Sequence, residues 1–540
     1  MACELVLRSN HVFTSLGKKT QAGCVGVTGR RIAYVGSDAE SCIGPGTRVV
    51  DVGDALICPG LHDSHVHYLP SALNRSRFVS YYEGSSPADC VAALSSIEGE
   101  VRADDLLFGY GWRHGTWDPP VLPTRADIDA VYPSRPVVLQ SGDAHTLWCN
   151  TLGLEALGVG PDSEPPEGGI YQRDDGGQLT GIIQESAATA LVPRVYASFS
   201  HEQKLEATTR FAQDLNANGI TSVDDLSLLA VPGGDMVCDD LYAEMEDEGR
   251  LSVRVNMFPT ALLDLTRARL LRRRFRDDGF LRCGGLKQFF DGVSSTHTAW
   301  LFDEYVNPYH PGDCGRPSIE PELLRRIVLT ANAEGFAVRV HAIGDKAVHV
   351  ALDIFEESER VNPPLAYGMN GIEHLEDLLP SDVERLARMR VCANVQPPHA
   401  TQDPRQVERD IGEPRVQWMW PFATYDRLGV SYSFGTDSPV VDVNTRNVIY
   451  DAVTRTEATT GLPAGGWHVG ERITAAQALR AYTLGSAHAS GRATDVGTLE
   501  AGKLADIAVL SRDVTACDPE EILSTEVLRT YVDGRLVFEA

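Results

Sequence analysis

Residues Cys58–Pro70 read CPGLHDSHVHYLP. A β-rich apolar run halts at Pro59–Gly60 and then presents His65 and His67 two residues apart. In an extended strand, positions i and i+2 face the same side, so both imidazoles point one way. Neutral imidazole is a good ligand for zinc and similar ions, and two of them at the C-terminal end of one strand can share a divalent cation. An HxH pair also arises by chance in unrelated sequences, so its meaning depends on the ends of the other strands. His62, outside the pair, suits packing or a supporting bond better than ligation.

Working outward, strand-like runs that end in polar residues are each followed by helical periodicity, as in AVRVHAIGDKAVHVALDIFEE (Ala337–Glu357) and GIEHLEDLLPSDVERLARM (Gly371–Met389). This is β/α alternation. Strand ends are expected near His65, Asp225, Met257, Lys287, His341, His374, Gln396 and Asp437, which is the number a (β/α)8 TIM barrel requires. The chain before this region, in LVLRSNHVF, CVGVTGRRIAYVG and RVVDVG, alternates short β-rich runs with turns. The same style returns in GTLEAGKLADIAVLSR and in LRTYVDGRLVFE, where an Asp-Gly turn joins two apolar strands. The expected domains are a β-sandwich built from both chain ends (1–57 and 488–540) and the barrel (58–487). Within the barrel, residues 69–215 form an inserted subdomain or lid after the first strand.

Isolated histidines recur where later strands end: His341 closes AVRV, and His374 follows Glu373. A lone histidine there is ordinarily a satisfied core or surface residue, but four aimed at one barrel mouth converge where such barrels keep their active sites. Lys287 in GGLKQFFDG and Asp437 in VSYSFGTDSP stand at strand ends where an unpaired charge would be costly to bury. The plain alternatives are an ion pair for Lys287 and a helix N-cap for Asp437. In the insert, FGYGWRHGTWDPP gathers Tyr110, Trp112 and Trp117 among glycines. These aromatics either line a pocket, with Trp112 touching substrate and Trp148 and Trp300 approaching the mouth, or pack the insert's own core.

Composition narrows the partners. The 540 residues carry a net charge of −27, which repels phosphate backbones and anionic lipid, so neither nucleic acid nor membrane is expected as a partner. The densest basic run, Arg269–Asp278, reads as a solvated helix face. No run of about 18 apolar residues suggests a membrane span. The first residues lack the features of a secretory signal, and eleven cysteines without a CxxC pair fit reduced thiols, so a cytoplasmic location is expected.

These residues together resemble the amidohydrolase superfamily, in particular the family 3 group that includes N-substituted formamide deformylases. The resemblance spans nearly the whole chain and is carried by PGLHDSHVH, GLKQFFDG, VHAIGDKAV, IEHLE, SFGTDSPV and GTLEAGKLADIAVL. It implies that His65 and His67 hold one metal and His341 and His374 a second, two zinc ions with iron or manganese as alternatives. Lys287, as a carbamate, would bridge them. Asp437 would touch one metal, take a proton from the attacking water and return it to the leaving amine. The implied reaction is cleavage of a non-peptide C–N bond (amide, formamide or cyclic amide) in a small organic molecule, by a homodimer. The competing readings are a lactone, ester or carbamate hydrolase on the same site, and a non-catalytic metal-binding regulator. Two departures bear on substrate: His297 in STHTAWL stands where related sequences often carry arginine, and QSGDAHTLWCN has Ala144 in place of a glycine. His297, His145 and Asp143 are therefore candidate substrate contacts, a structural role in the insert being the alternative for the last two.

Overall fold

The computed structural model describes residues 2–142, 145–166, 169–227, 235–275 and 279–540. Asp143 and the last three residues of the basic run lie outside the described residues. The start of that run forms helix Thr266–Arg274, where Arg269 pairs with Glu334 and Arg274 with Asp239 and Asp240 across exposed surface. It is a solvated face, as its sequence suggests.

The chain forms two compact units, Met1–Val66 with Ala212–Ala540, and His67–Phe211. In the first, eight strands carry the site: β1 (Leu61–Val66), β2 (Ile220–Leu226), β3 (Arg254–Phe258), β4 (Leu286–Phe289), β5 (Val338–Ala342), β6 (Asn370–His374), β7 (Val391–Val395) and β8 (Tyr432–Phe434). Each ends within three residues of its expected position. β1, β2 and β3 pair in parallel, as do β4 through β8 in sequence order. Isolated parallel bridges Thr260↔Lys287 and Val66↔Ser438 join the two sheets. A short strand not anticipated from sequence, Leu281–Cys283, pairs with β3.

These strands are almost wholly buried because both faces are covered. Helix Asp345–Val361, between β5 and β6, buries Val348, Ala351, Leu352 and Phe355, the i, i+3, i+4, i+7 spacing of one helical face.

Both chain ends share one sheet, in the order Arg535–Glu539, Val527–Val532, Ile507–Leu510, Leu56–Pro59, Leu5–Val12, Gln21–Thr28, Arg31–Gly36, with Arg48–Asp51 beside Leu5–Val12. Leu5, Leu7, Val25, Val27, Ile57, Ile507, Val509 and Tyr531 form its core. The Asp533-Gly534 turn has both residues at positive φ, as a two-residue hairpin with native twist requires. Gly60 carries the chain from this sheet into β1, where a Cβ would come within 2.2 Å of Thr221 Oγ1.

The second unit holds a six-stranded sheet, ordered Gly169–Arg173, Leu179–Glu185, Thr146–Cys149, Val137–Ser141, Leu107–Trp112, Val79–Tyr81. Gly169–Arg173 and Leu179–Glu185 form an antiparallel hairpin within it. Leu107–Trp112, the Gly/Trp-rich segment, is a fully buried strand.

Candidate metal centre

β1 delivers His65, which is fully buried and whose Nδ1 lies 2.5 Å from Glu373 Oε2 on β6. That bond puts the proton on Nδ1 and leaves Nε2 with its lone pair, the arrangement in which a carboxylate orients a metal-binding imidazole. His65 Nε2 faces Asp437 Oδ1 at 3.2 Å. His67 follows one peptide beyond β1, and donor atoms of His65, His67 and Asp437 all lie within 4.8 Å of one another.

Asp437 reaches this point through a tight approach of β8 to β1. A Cβ at Gly435 would lie 2.6 Å from the His65 backbone nitrogen. Asp63 fastens the turn by accepting from Thr436 N and Oγ1 at 3.0 and 2.8 Å, and Asp437 N donates to His65 O at 2.8 Å. Asp437 itself has φ +60°, so the N-cap alternative gives way to a left-handed residue held by its neighbours.

The other two histidines are oriented by neutral acceptors. His341 Nε2 lies 3.2 Å from Gly292 O, and its Nδ1 has no hydrogen-bond partner among the described residues. His374 Nδ1 lies 3.0 Å from Gln396 Oε1, and the ring centroids of His374 and His341 are 4.5 Å apart. Burial, with Lys287 adding, pushes His341 down to about 3, and burial likewise carries His374 well below the usual range. Both are therefore neutral and keep a lone pair at neutral pH.

Lys287 on β4 is 1% exposed. The ion-pair alternative is not realised among the described residues: the Lys287 Nζ has no hydrogen-bond partner there and lies over the Phe289 ring, 4.9 Å from its centroid. Burial lowers its pKa to about 8 against the pull of Glu373 and Asp437.

The walls carry a network of buried polar side chains. Arg339 on β5 donates to Ser64 O and Asp224 Oδ2, each at 2.7 Å, and lies 3.6 Å from Glu373. Asn394 donates to Glu373 at 2.9 Å. His62 contacts Asp224 at 2.8 Å, the supporting role read from its place outside the HxH pair.

Four side chains escaped the sequence reading. Glu373 and Arg339 were hidden because their role is to hold another residue. Glu376 and His399 form a second convergent set with His374. VQPPHA places His399 just beyond β7, the same signal that flagged His341 and His374.

The candidate substrate contacts sit as follows. His297, at φ +55°, bonds Asp313 at 2.7 Å through Nδ1 and stacks between Tyr305 and Tyr309, with centroids at 4.0 and 3.8 Å. In the second unit, His145 Nδ1 lies 3.1 Å from Glu185. Trp112 is 1% exposed, packs against Trp117 and Trp148 and donates to Leu139 O at 3.1 Å, which makes it part of the insert's core.

A divalent cation fits this site. Two buried carboxylates, Glu373 and Asp437, face His65, and burial, which lowers the His65 pKa, is outweighed by Asp437 and Glu373. The site thus calls for positive charge, and oriented imidazole nitrogens surround the place where it would sit.

Parallel α/β architecture with imidazoles and carboxylates converging at the strand ends defines a metal-dependent hydrolase. Within that class the chain belongs to the amidohydrolase family, whose model matches residues 48–538, and it is an enzyme acting on carbon–nitrogen bonds. It is 27% identical to an N-substituted formamide deformylase of Arthrobacter pascens, covering 99% of this chain and 98% of the relative. It is 29% identical to the protein LONG AFTER FAR-RED 3 of Arabidopsis thaliana, over 100% of this chain and 92% of that one. Among solved structures it resembles an uncharacterized metal-dependent hydrolase from Pyrococcus horikoshii OT3, with a TM-score of 0.78 at 26% identity, covering 95% of this chain and 99% of the other. No helix among the described residues is long and apolar enough to cross a membrane.

Proposed function

We propose that the parallel strands form a closed (β/α)8 barrel whose mouth hydrolyses a non-peptide amide, formamide or cyclic amide of a small organic molecule. The observation that carries this is the convergence of His65, His67 and Asp437, with His65 oriented by Glu373. His65, His67 and Asp437 would hold one ion, and His341 and His374 a second. Divalent ions, zinc with iron or manganese as alternatives, supply polarisation of the attacking water and of the scissile carbonyl.

Lys287 would bridge the two positions as a carbamate. The ammonium first gives up one proton; the neutral amine nitrogen then bonds to the carbon of carbon dioxide and releases a second, leaving an anionic oxygen donor in place of a buried cation. A pKa of about 8 supports this, because it leaves a sizeable neutral fraction near neutral pH. Asp437 then takes a proton from the attacking water and delivers it to the departing amine nitrogen as the C–N bond breaks. The deformylase relative supports an N-formyl or N-acyl amine as the substrate class.

The test is a panel of N-formyl, N-acyl and cyclic amides offered to metal-reconstituted protein, with release of free amine measured. Amine release that disappears on chelation is expected. Turnover of esters or lactones with no amide cleaved would overturn the reading.

A further inference from the structure

We infer that Glu376 and His399 join His374 to close the ligand shell of the second cation, beside the one held by His65, His67 and Asp437. This rests on the metal-dependent reading of the site. The local backbone is arranged for it. His374 and Leu375 both have positive φ, +70° and +46°, so the chain beyond β6 turns tightly and returns Glu376 beside His374. His399 begins the short helix His399–Gln402 directly after β7. Its ring lies parallel to that of His374, with an interplanar angle of 7° and centroids 5.8 Å apart.

The spacing of these donors suits a shared cation better than a direct hydrogen bond. Donor atoms of His374, Glu376 and His399 all lie within 4.8 Å of one another. His399 Nδ1 is 3.7 Å from Glu376 Oε1, too far for a hydrogen bond. It is close to the separation of about 3.4 Å between neighbouring ligands on a tetrahedral ion with bonds of about 2.0–2.1 Å. His374 spends Nδ1 on Gln396, which leaves Nε2 for the ion. His399 Nε2 is buried without a hydrogen-bond partner among the described residues, and it faces Asp437 Oδ2 at 3.8 Å while Asp437 Oδ1 faces His65. One carboxylate thus lies between the two donor sets, as expected for neighbouring cations. A glutamate beside two imidazoles also supplies the negative charge that a divalent ion requires.

The experiment uses the full chain reconstituted with cobalt, dialysed, and read by metal analysis and by the cobalt absorption spectrum. The parent protein should retain two equivalents. Glu376→Gln and His399→Asn should each lose about one, with the spectrum of the remaining ion preserved, whereas His65→Ala should remove the other equivalent. Near-ultraviolet circular dichroism establishes folding, and if His399→Asn does not fold, Glu376→Gln decides alone. Two equivalents retained in the folded Glu376 variant overturn the inference and leave the metal-dependent reading intact. A parent protein that binds no cobalt overturns both.

Discussion

At the scale of single residues, the chemistry depends on buried groups whose partners are few and specific. Asp437 is poised beside His65 with its backbone held in the left-handed region. Asp437→Asn should keep the fold and lose roughly 100-fold or more in turnover, the range for a positioned general base, as measured by steady-state amine release. A loss of only a few-fold would move the proton to another group. Lys287→Ala should be inactive, and short carboxylates such as acetate should restore part of the activity by supplying the missing anionic bridge. If no carboxylate restores any activity and mass analysis of the parent finds no carbamate, Lys287 is not the bridge.

At the scale of elements, strands and turns fix these groups where flexible side chains alone would not. Gly435 permits β8 to approach β1, since a Cβ there would press on the His65 backbone at 2.6 Å. Gly435→Ala should therefore reduce retained metal and lower turnover by more than about tenfold, because a displacement of the order of 1 Å at reacting groups costs about that much or more. Unchanged metal content would show that β8 can move aside freely. The network behind the site predicts a pH effect. Burial raises the Asp224 carboxyl, but Arg339 and His62 outweigh it and hold it down at about 2. A depressed folded pKa contributes stability that is complete above the unfolded value of about 3.9 and is lost as pH falls toward 2, on the order of 2 kcal/mol in this case. Asp224→Asn should be less stable at neutral pH and show a shallower loss of stability between about pH 4 and pH 2, followed by chemical denaturation. A parallel acid limb in parent and variant would assign the acid sensitivity to other carboxylates.

At the scale of the whole molecule, the terminal sheet is tied to the strands that carry the site. Arg254, at the start of β3 and fully buried, donates to Asp506 through Nε and Nη2 at 2.6 and 2.9 Å and also bonds Asp533. Both aspartates belong to the C-terminal segment, more than two hundred residues away in sequence. Removing one partner of a buried pair costs about 3–5 kcal/mol, because the other charge is left without compensation. Asp506→Ala should accordingly lower the thermal unfolding midpoint clearly while leaving the metal ligands chemically untouched. A midpoint equal to the parent's would mean that Asp533 alone satisfies Arg254.

Sequence by itself showed the alternation of strand and helix and the eight strand ends, and it marked His65, His67, Lys287, His341, His374 and Asp437 as candidates. Each is a polar residue ending an apolar run, and periodicity and residue type are local properties that can be read along the chain. The Asp-Gly turn was legible for the same reason. Tertiary structure alone decided which donors meet. Glu373 and Arg339 act only through the residues they hold, and Glu376 reaches His374 only because two left-handed residues fold the chain back. Trp112, which sequence left open between pocket and core, is engaged in the insert's own sheet because its partners Leu139 and Trp148 arrive from neighbouring strands. Pairing between distant strands is not a local property, since it is set by which apolar faces are buried together and by which backbone atoms find partners when they are.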